Sequence, residues 1–182
     1  GAAVMIEDRL VGLEAASDHT PVYGIAVDVG STTLVATLFN LSTGEQCAVA
    51  SAMNPQVAFG DDVIARIARI RENHGALAEL QQTVLDALKG LITDLGEQAR
   101  VPVRRVYQVV VAGNSTMQQI LCGLDPSALG EVPFVQVTGE ALRLPASRLG
   151  LTANPGAELF VFPQIGGFVG GDTVAGLLAT LP

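Results

Sequence analysis

The chain has 182 residues, 49% hydrophobic and 15% charged, with a net charge of −8. That is enough length for one domain with a real core, and the charged share lies below the roughly 25% of ordinary domains, which points to a surface that expects a partner. The acidic balance argues against nucleic acid, whose binding rewards basic patches.

No stretch reads as a membrane span. The longest uncharged run, Val106 to Leu124, is broken by Gln, Asn, Ser, Thr and Gly. Glu7 and Asp8 come too early for a signal peptide, so a cytoplasmic location is expected. Cys47 and Cys122 lie far apart without a CxxC or a His cluster, and they read as buried thiols rather than a disulfide or metal site. His19 and His74 fall in linker and turn and receive no role.

Residues 1–21 are mixed and close on the turn signal Asp18-His19-Thr20-Pro21; they read as a linker or the tail of a preceding domain. Residues 22–182 read as one lobe. Val22 to Val29 alternates, with Tyr23, Ile25, Val27 and Val29 on one face and Gly24, Ala26 and Asp28 on the other. A tight turn, Gly30-Ser31-Thr32-Thr33, leads to a second strand at Leu34 to Asn40 and a third at about Gln46 to Ala52, an antiparallel meander.

Asp61 and Asp62 can cap a helix carrying Val63, Ile67 and Ile70, which Asn73-His74-Gly75 ends. Leu77, Leu80, Val84, Leu88, Leu91 and Leu95 form the apolar stripe of a longer helix stopped by Pro102. Arg105 to Ala112, β-branched from Val106 on and too short for a helix, predicts a buried central strand. Gly113-Asn114-Ser115-Thr116 then opens a short helix through Leu121. Residues 123–157 are rich in Pro and Gly, with a short strand expected at Phe134 to Val137. A strand at Leu159 to Phe162 and the segment Gly166 to Thr173 lead into a last helix over 174–181. The order β-β-β-α-β-α-β-α is that of an α/β ribonuclease H-like lobe, a mixed five-stranded sheet with helices on its faces.

Within that order, the turn after Asp28 stands between the first two strands. Its backbone N–H groups and hydroxyls can take a phosphate, and Asp28 can hold Mg²⁺ through water. An ordinary strand turn is the competing reading. A nuclease would need several clustered carboxylates, yet the end of the fourth strand, Ala112-Gly113-Asn114, has no acid. Asn114 and Ser115 fit either a binding loop or a plain helix cap. The glycines before Thr173 suit close packing. Gln56, Asp61, Asp62 and Arg66 read as a solvated helix start.

Four segments carry a more specific likeness: GIAVDVGSTTLVATLFNLSTGE at 24–45, NPQVAFGDDVIARI at 54–67, VVVAGNSTMQQILCGLDP at 109–126 and FPQIGGFVGGDTVAGLLAT at 162–180. In these the chain resembles the C-terminal ATPase domain of the reductive activators of corrinoid proteins, in the superfamily of acetate and sugar kinases, heat-shock chaperones and actin. The resemblance implies ATP-dependent reduction of Co(II) to Co(I) in a corrinoid protein partner. It implies ATP and Mg as cofactors, with Gly30, Ser31, Thr32 and Thr33 on the phosphates and Asp28 holding Mg through water. Asn114, Ser115, Gly170, Gly171 and Asp172 are candidate cleft residues.

In that superfamily nucleotide lies between two lobes, and no second Asp-x-Gly strand follows here before Pro182. The four clustered cysteines of a ferredoxin are also lacking, so the [2Fe-2S] cluster that the resemblance implies is expected only in an N-terminal part of the full-length protein. The chain therefore reads as one lobe of a longer protein, holding half of a nucleotide site. A second ATPase lobe and self-association are the further partners expected. The alternatives are a docking module without nucleotide turnover and a lobe of another actin-like or sugar-kinase-like ATPase.

Overall fold

The computed structural model describes residues 1–15 and 21–181. Its sheet grows from the alternating segment β3 (Tyr23–Val29), which pairs antiparallel with β4 (Thr33–Asn40), itself paired antiparallel with β5 (Gln46–Met53). On its other side β3 takes β6 (Val106–Gly113) in parallel, with Asp28 opposite Ala112 and Val29 opposite Gly113. Strand β8 (Glu158–Val161) lies parallel to β6. These five strands follow the expected order.

A sixth strand, β7 (Leu142–Pro145), closes the edge antiparallel to β8, giving the order β5-β4-β3-β6-β8-β7. The five-stranded expectation thus becomes six. The short strand expected at Phe134 to Val137 does not form. Phe134 sits at φ +60°, outside the extended region, and its ring meets Phe168 at 5.7 Å between centroids.

Three helices cover one face. Helix α1 (Val63–Glu72) starts at Asp62, whose carboxylate accepts the Ala65 N–H at 2.8 Å. Helix α2 (Ala76–Ala99) buries Val84, Leu88, Leu91 and Leu95 in one core with the inward-facing Ile25, Val27, Val29 and Leu34, while its Leu80 packs with Ile70, Ala76 and Ile120. Arg100 ends it in the left-handed conformation at φ 55°. Helix α3 (Ser115–Leu121) is buried throughout. The fourth helix, α4 (Gly171–Thr180), packs on the opposite face near β6. Among the described residues no helix is long and apolar enough to cross a membrane.

Residues 2–14 form a hairpin rather than a featureless tail: β1 (Ala2–Ile6) and β2 (Arg9–Glu14) turn at Glu7. Asp18, His19 and Thr20 of the expected turn signal lie outside the described residues. The alternation of these strands is blurred because much of their surface stays exposed. The hairpin is held by tertiary partners instead. Arg9 meets the buried Glu158 at 2.5 Å, which also takes Arg143 at 2.9 Å, while Arg143 reaches Glu7 at 3.0 Å. Tyr107 donates its hydroxyl to Glu14, and Arg105 approaches Glu14 at 3.4 Å. All these contacts fall at the starts of β6 and β8, the end of the sheet opposite the Gly30 turn.

Burial first, and the bond to Glu14 second, push the Tyr107 phenol up to about 12 from 10.0. Its contribution to hairpin docking is therefore complete below pH 10 and is lost as pH rises toward 12. In a Tyr23→Phe background the tyrosinate absorbance should rise near pH 12, and Glu14→Gln should lower that midpoint.

Candidate functional site

Gly30, Ser31 and Thr32 turn their carbonyls into the protein. The Gly30 oxygen accepts from Asn54 Nδ2 at 2.8 Å, the Ser31 oxygen from Arg66 Nη2 at 2.6 Å and the Thr32 oxygen from the Asn54 N–H at 2.8 Å. Among the described residues no acceptor takes the N–H groups of Gly30, Ser31 or Thr32. A loop with its carbonyls bonded inward leaves its amides for solvent or for an anion. Gly30 is required here, since a Cβ would lie 2.5 Å from the Thr33 carbonyl oxygen. Thr32 and Thr33 are exposed, and Gly30 and Ser31 are half-buried.

The brace under this loop is buried, where its charge and polarity predict a solvated one. Arg66 and Gln56, expected at a solvated helix start, are fully buried, as is Asn54 beside them. Asn54 caps a 3-10 turn at Pro55–Phe59, accepting the Gln56 N–H at 3.0 Å. The Arg66 guanidinium donates to Ser31, to the Gly60 carbonyl at 3.1 Å and to Gln56 Oε1 at 3.2 Å, and lies 3.1 Å from Met117 Sδ. Gln56 in turn donates to the Leu80 carbonyl at 2.8 Å. A signal for this was present: with Val63, Ile67 and Ile70, Arg66 completes a stripe at three- and four-residue spacing. An arginine on an apolar stripe is a buried arginine, and a buried arginine needs acceptors.

Asp28 ends the outer face of β3 and is exposed on the side where α4 begins. Its carboxyl is raised above the ordinary value, first by partial burial and second by the charge of Asp172. A carboxylate whose ionisation is opposed by burial and a neighbouring negative charge favours a cation beside it. Asp172 lies in the first turn of α4, accepting the Thr173 N–H at 2.7 Å, while Gly170 is the capping residue.

That geometry depends on close backbone packing. A Cβ on Gly170 would lie 2.3 Å from the Gly113 oxygen and 2.5 Å from Asn114 Cα, and one on Gly171 would meet Phe162 Cβ at 2.5 Å. Gln118, itself buried, accepts the Gly171 N–H at 3.0 Å and donates to the Phe162 carbonyl at 3.1 Å, fixing the start of α4 to the end of β8.

The candidate cleft residues therefore divide. Asp172 is exposed and Asn114 half-buried, whereas Gly170 and Gly171 form a packed floor. Ser115 is fully buried and does not face solvent. Asn114 is a helix cap, its Oδ1 accepting the Met117 N–H at 3.0 Å. A groove of about 400 Å³ beside them is lined by Ser31, Asp62, Val63, Ile64, Asn114 and Phe168.

The donor set fits a metal-bound phosphate: outward amides, hydroxyls and a carboxylate pair. It does not fit an iron–sulfur cluster. The chain has two cysteines, both free, and among the described residues no group of three His, Cys, Asp or Glu side chains gathers. Burial pushes the Cys122 thiol up to about 11, making it a poor ligand.

Comparison with known proteins bears out the likeness read from the four segments. The family model described as the RACo middle region matches residues 23–181. The corrinoid activation enzyme RamQ of Eubacterium limosum is 37% identical over 158 residues, covering 87% of this chain and 27% of that protein. A solved structure described as "Reductive activator for corrinoid,iron-sulfur protein" superposes with a TM-score of 0.89 at 32% identity, covering 94% of this chain and 27% of that one. An archaeal actin homolog, Ta0583, solved in complex with ADP, reaches a TM-score of 0.35 at 21% identity, too distant to carry an argument. The chain spans about a quarter of the length of the relatives it matches. It belongs to the RACo middle region family and is homologous to the activators of corrinoid proteins.

Proposed function

We propose that this chain is the nucleotide-binding lobe of a cytoplasmic, ATP-dependent activator that returns a corrinoid protein from Co(II) to Co(I). The observation that carries the reading is the Gly30–Thr32 loop, carbonyls inward and amides outward, beside the Asp28–Asp172 carboxylates. In it, the amides of residues 30–33 and the hydroxyls of Ser31, Thr32 and Thr33 bind and orient phosphate oxygens. Asp28 and Asp172 hold water molecules on the metal side. When bound, Mg²⁺ supplies neutralisation of the phosphate charge. Electron transfer is not assigned to this chain, whose two separated thiols cannot hold a [2Fe-2S] cluster. A second lobe completes the adenosine side.

A docking reading has its own support in exposed apolar residues: Val132, at 81% exposure, Val135 and Phe168. It separates from the first reading by its indifference to nucleotide and to Asp28.

Titration with Mg-ATP should shift the amide resonances of residues 28–33 first, and Asp28→Ala should weaken binding about tenfold or more. Shifts confined elsewhere would sink the site, and corrinoid-protein binding unchanged by nucleotide or by Asp28→Ala would favour docking. Because the Asp28 carboxyl is raised, Mg-ATP affinity should fall as pH drops through a value above 3.8. Asp172→Asn removes a like charge, so that loss should move to lower pH; an unmoved midpoint in calorimetric titrations counts against the pair. Gly170→Ala forces a side chain into the backbone of Gly113 and Asn114, and should cost about 2 kcal/mol in chemical denaturation while shifting the resonances of Gly171 and Asp172.

A further inference from the structure

Arg66 is a buried cation with no anion. It is 0% exposed, and its partners are the Ser31 and Gly60 carbonyls, the Gln56 amide oxygen and the Met117 sulfur. Among the described residues no carboxylate lies within ion-pair distance of it. The nearest acidic influence is Asp62, whose oxygen is engaged by the Ala65 N–H at the exposed start of α1. Neutral acceptors satisfy the guanidinium's hydrogens but leave its charge compensated only by the field of Asp62, with no direct ion pair, which is costly away from water. Burial accordingly pulls Arg66 below its ordinary range.

The position of that charge is informative. Its shortest bond, 2.6 Å, is to the Ser31 carbonyl, the inner side of a peptide group in the phosphate loop. An anion held by the outward amides would sit on the far side of the same loop. The Arg66–Ser31 bond polarises the peptide between them, and the interior transmits the guanidinium's field with little screening.

We infer that Arg66 is the positioning residue of the phosphate loop, fixing its carbonyl-in form and supplying from behind the positive charge that a bound phosphate neutralises. This rests on the phosphate-site reading and adds to it the source of the charge. It also accounts for the retention of a buried arginine where an apolar residue would continue the stripe of α1. In wild type an occupied loop completes an ion pair across one peptide, so phosphate binding and burial of Arg66 stabilise each other.

The test uses magnesium pyrophosphate as the probe, followed by amide NMR of residues 28–33 and by the Arg66 Nε–H resonance. Arg66→Lys keeps the charge, whereas Arg66→Gln keeps hydrogen bonding without it. We expect the unliganded loop resonances to move to a similar extent in both variants, since both lose the guanidinium fork, and pyrophosphate affinity to stay within about threefold of wild type in Arg66→Lys but to fall about tenfold in Arg66→Gln, so that the difference between the two reads the charge. Rescue by Gln but not by Lys, or equal affinity in all three, would overturn the charge role and leave the phosphate site standing. Should neither variant fold, the wild-type guanidinium decides. Its Nε–H signal should shift and exchange more slowly as the loop fills, and an unmoved signal alongside shifting loop amides would refute the proposal. No loop response to pyrophosphate in wild type would remove both the phosphate site and this inference.

Discussion

One guanidinium group joins the parts of this lobe that must stay in register. Arg66 belongs to α1, bonds the loop between β3 and β4, holds the Gly60 carbonyl and meets Met117 on α3; through Gln56 it reaches the α2 backbone at Leu80. Three helices and a hairpin tip thus share a single branched side chain. The planar fork of arginine is what permits this, because its donors leave in fixed, diverging directions. A lysine places one charge but cannot span four acceptors. The apolar core supplies most of the favourable free energy of the lobe, yet it is indifferent to small shifts of a surface loop. The directional bonds from Arg66 and Asn54 are what select one loop conformation.

The opposite face is organised by the absence of side chains. Gly113 and Gly170 let β6 and the start of α4 approach backbone to backbone, and Gln118 ties the helix start to β8 from below. This places Asp172 near Asp28 without a direct bond between them. The two faces therefore do different work: polar side chains behind the loop orient its amides, and glycines in front bring a second carboxylate toward the first.

Much of this was legible in the sequence. The alternation of residues 23–29, the Asp62 cap, the stripe of α2 and the β-branched run of β6 each follow from local periodicity, and each formed as expected. The Asp28 and Gly30 turn stands where its place between two strands put it. What failed was tertiary. Strand β7 has four residues with a proline at its end and exists because β8 offers it an edge. The hairpin of residues 2–14 buries little of itself and depends on Glu158 and Tyr107, far away in the chain. Ser115 looks like a loop hydroxyl in the sequence, but Asn114 takes the capping role and the helix beyond it turns inward. Arg66 reads as solvated by its charge, but its place on the apolar stripe of α1 buries it.

The placement of charge gives the proposed function a physical demand. Arg9, Arg105 and Arg143 are engaged at the end of the sheet where the hairpin docks. On α1, Arg69 is paired with Glu79 and Arg71 with Glu131, and Arg66 is buried. The cleft end instead presents Asp28 and Asp172, with the capping Asp62 at the rim of the groove. A polyphosphate approaching this end meets carboxylates first, and amides alone do not offset that repulsion. The anion is acceptable to such a surface only as a complex with a divalent cation, which turns the carboxylates from a barrier into water-mediated anchors. Under the proposed function, acidity at the cleft is thus a selection for the metal-bound nucleotide over the free one, and the single charge stationed behind the loop acts only on an anion that has already passed that filter.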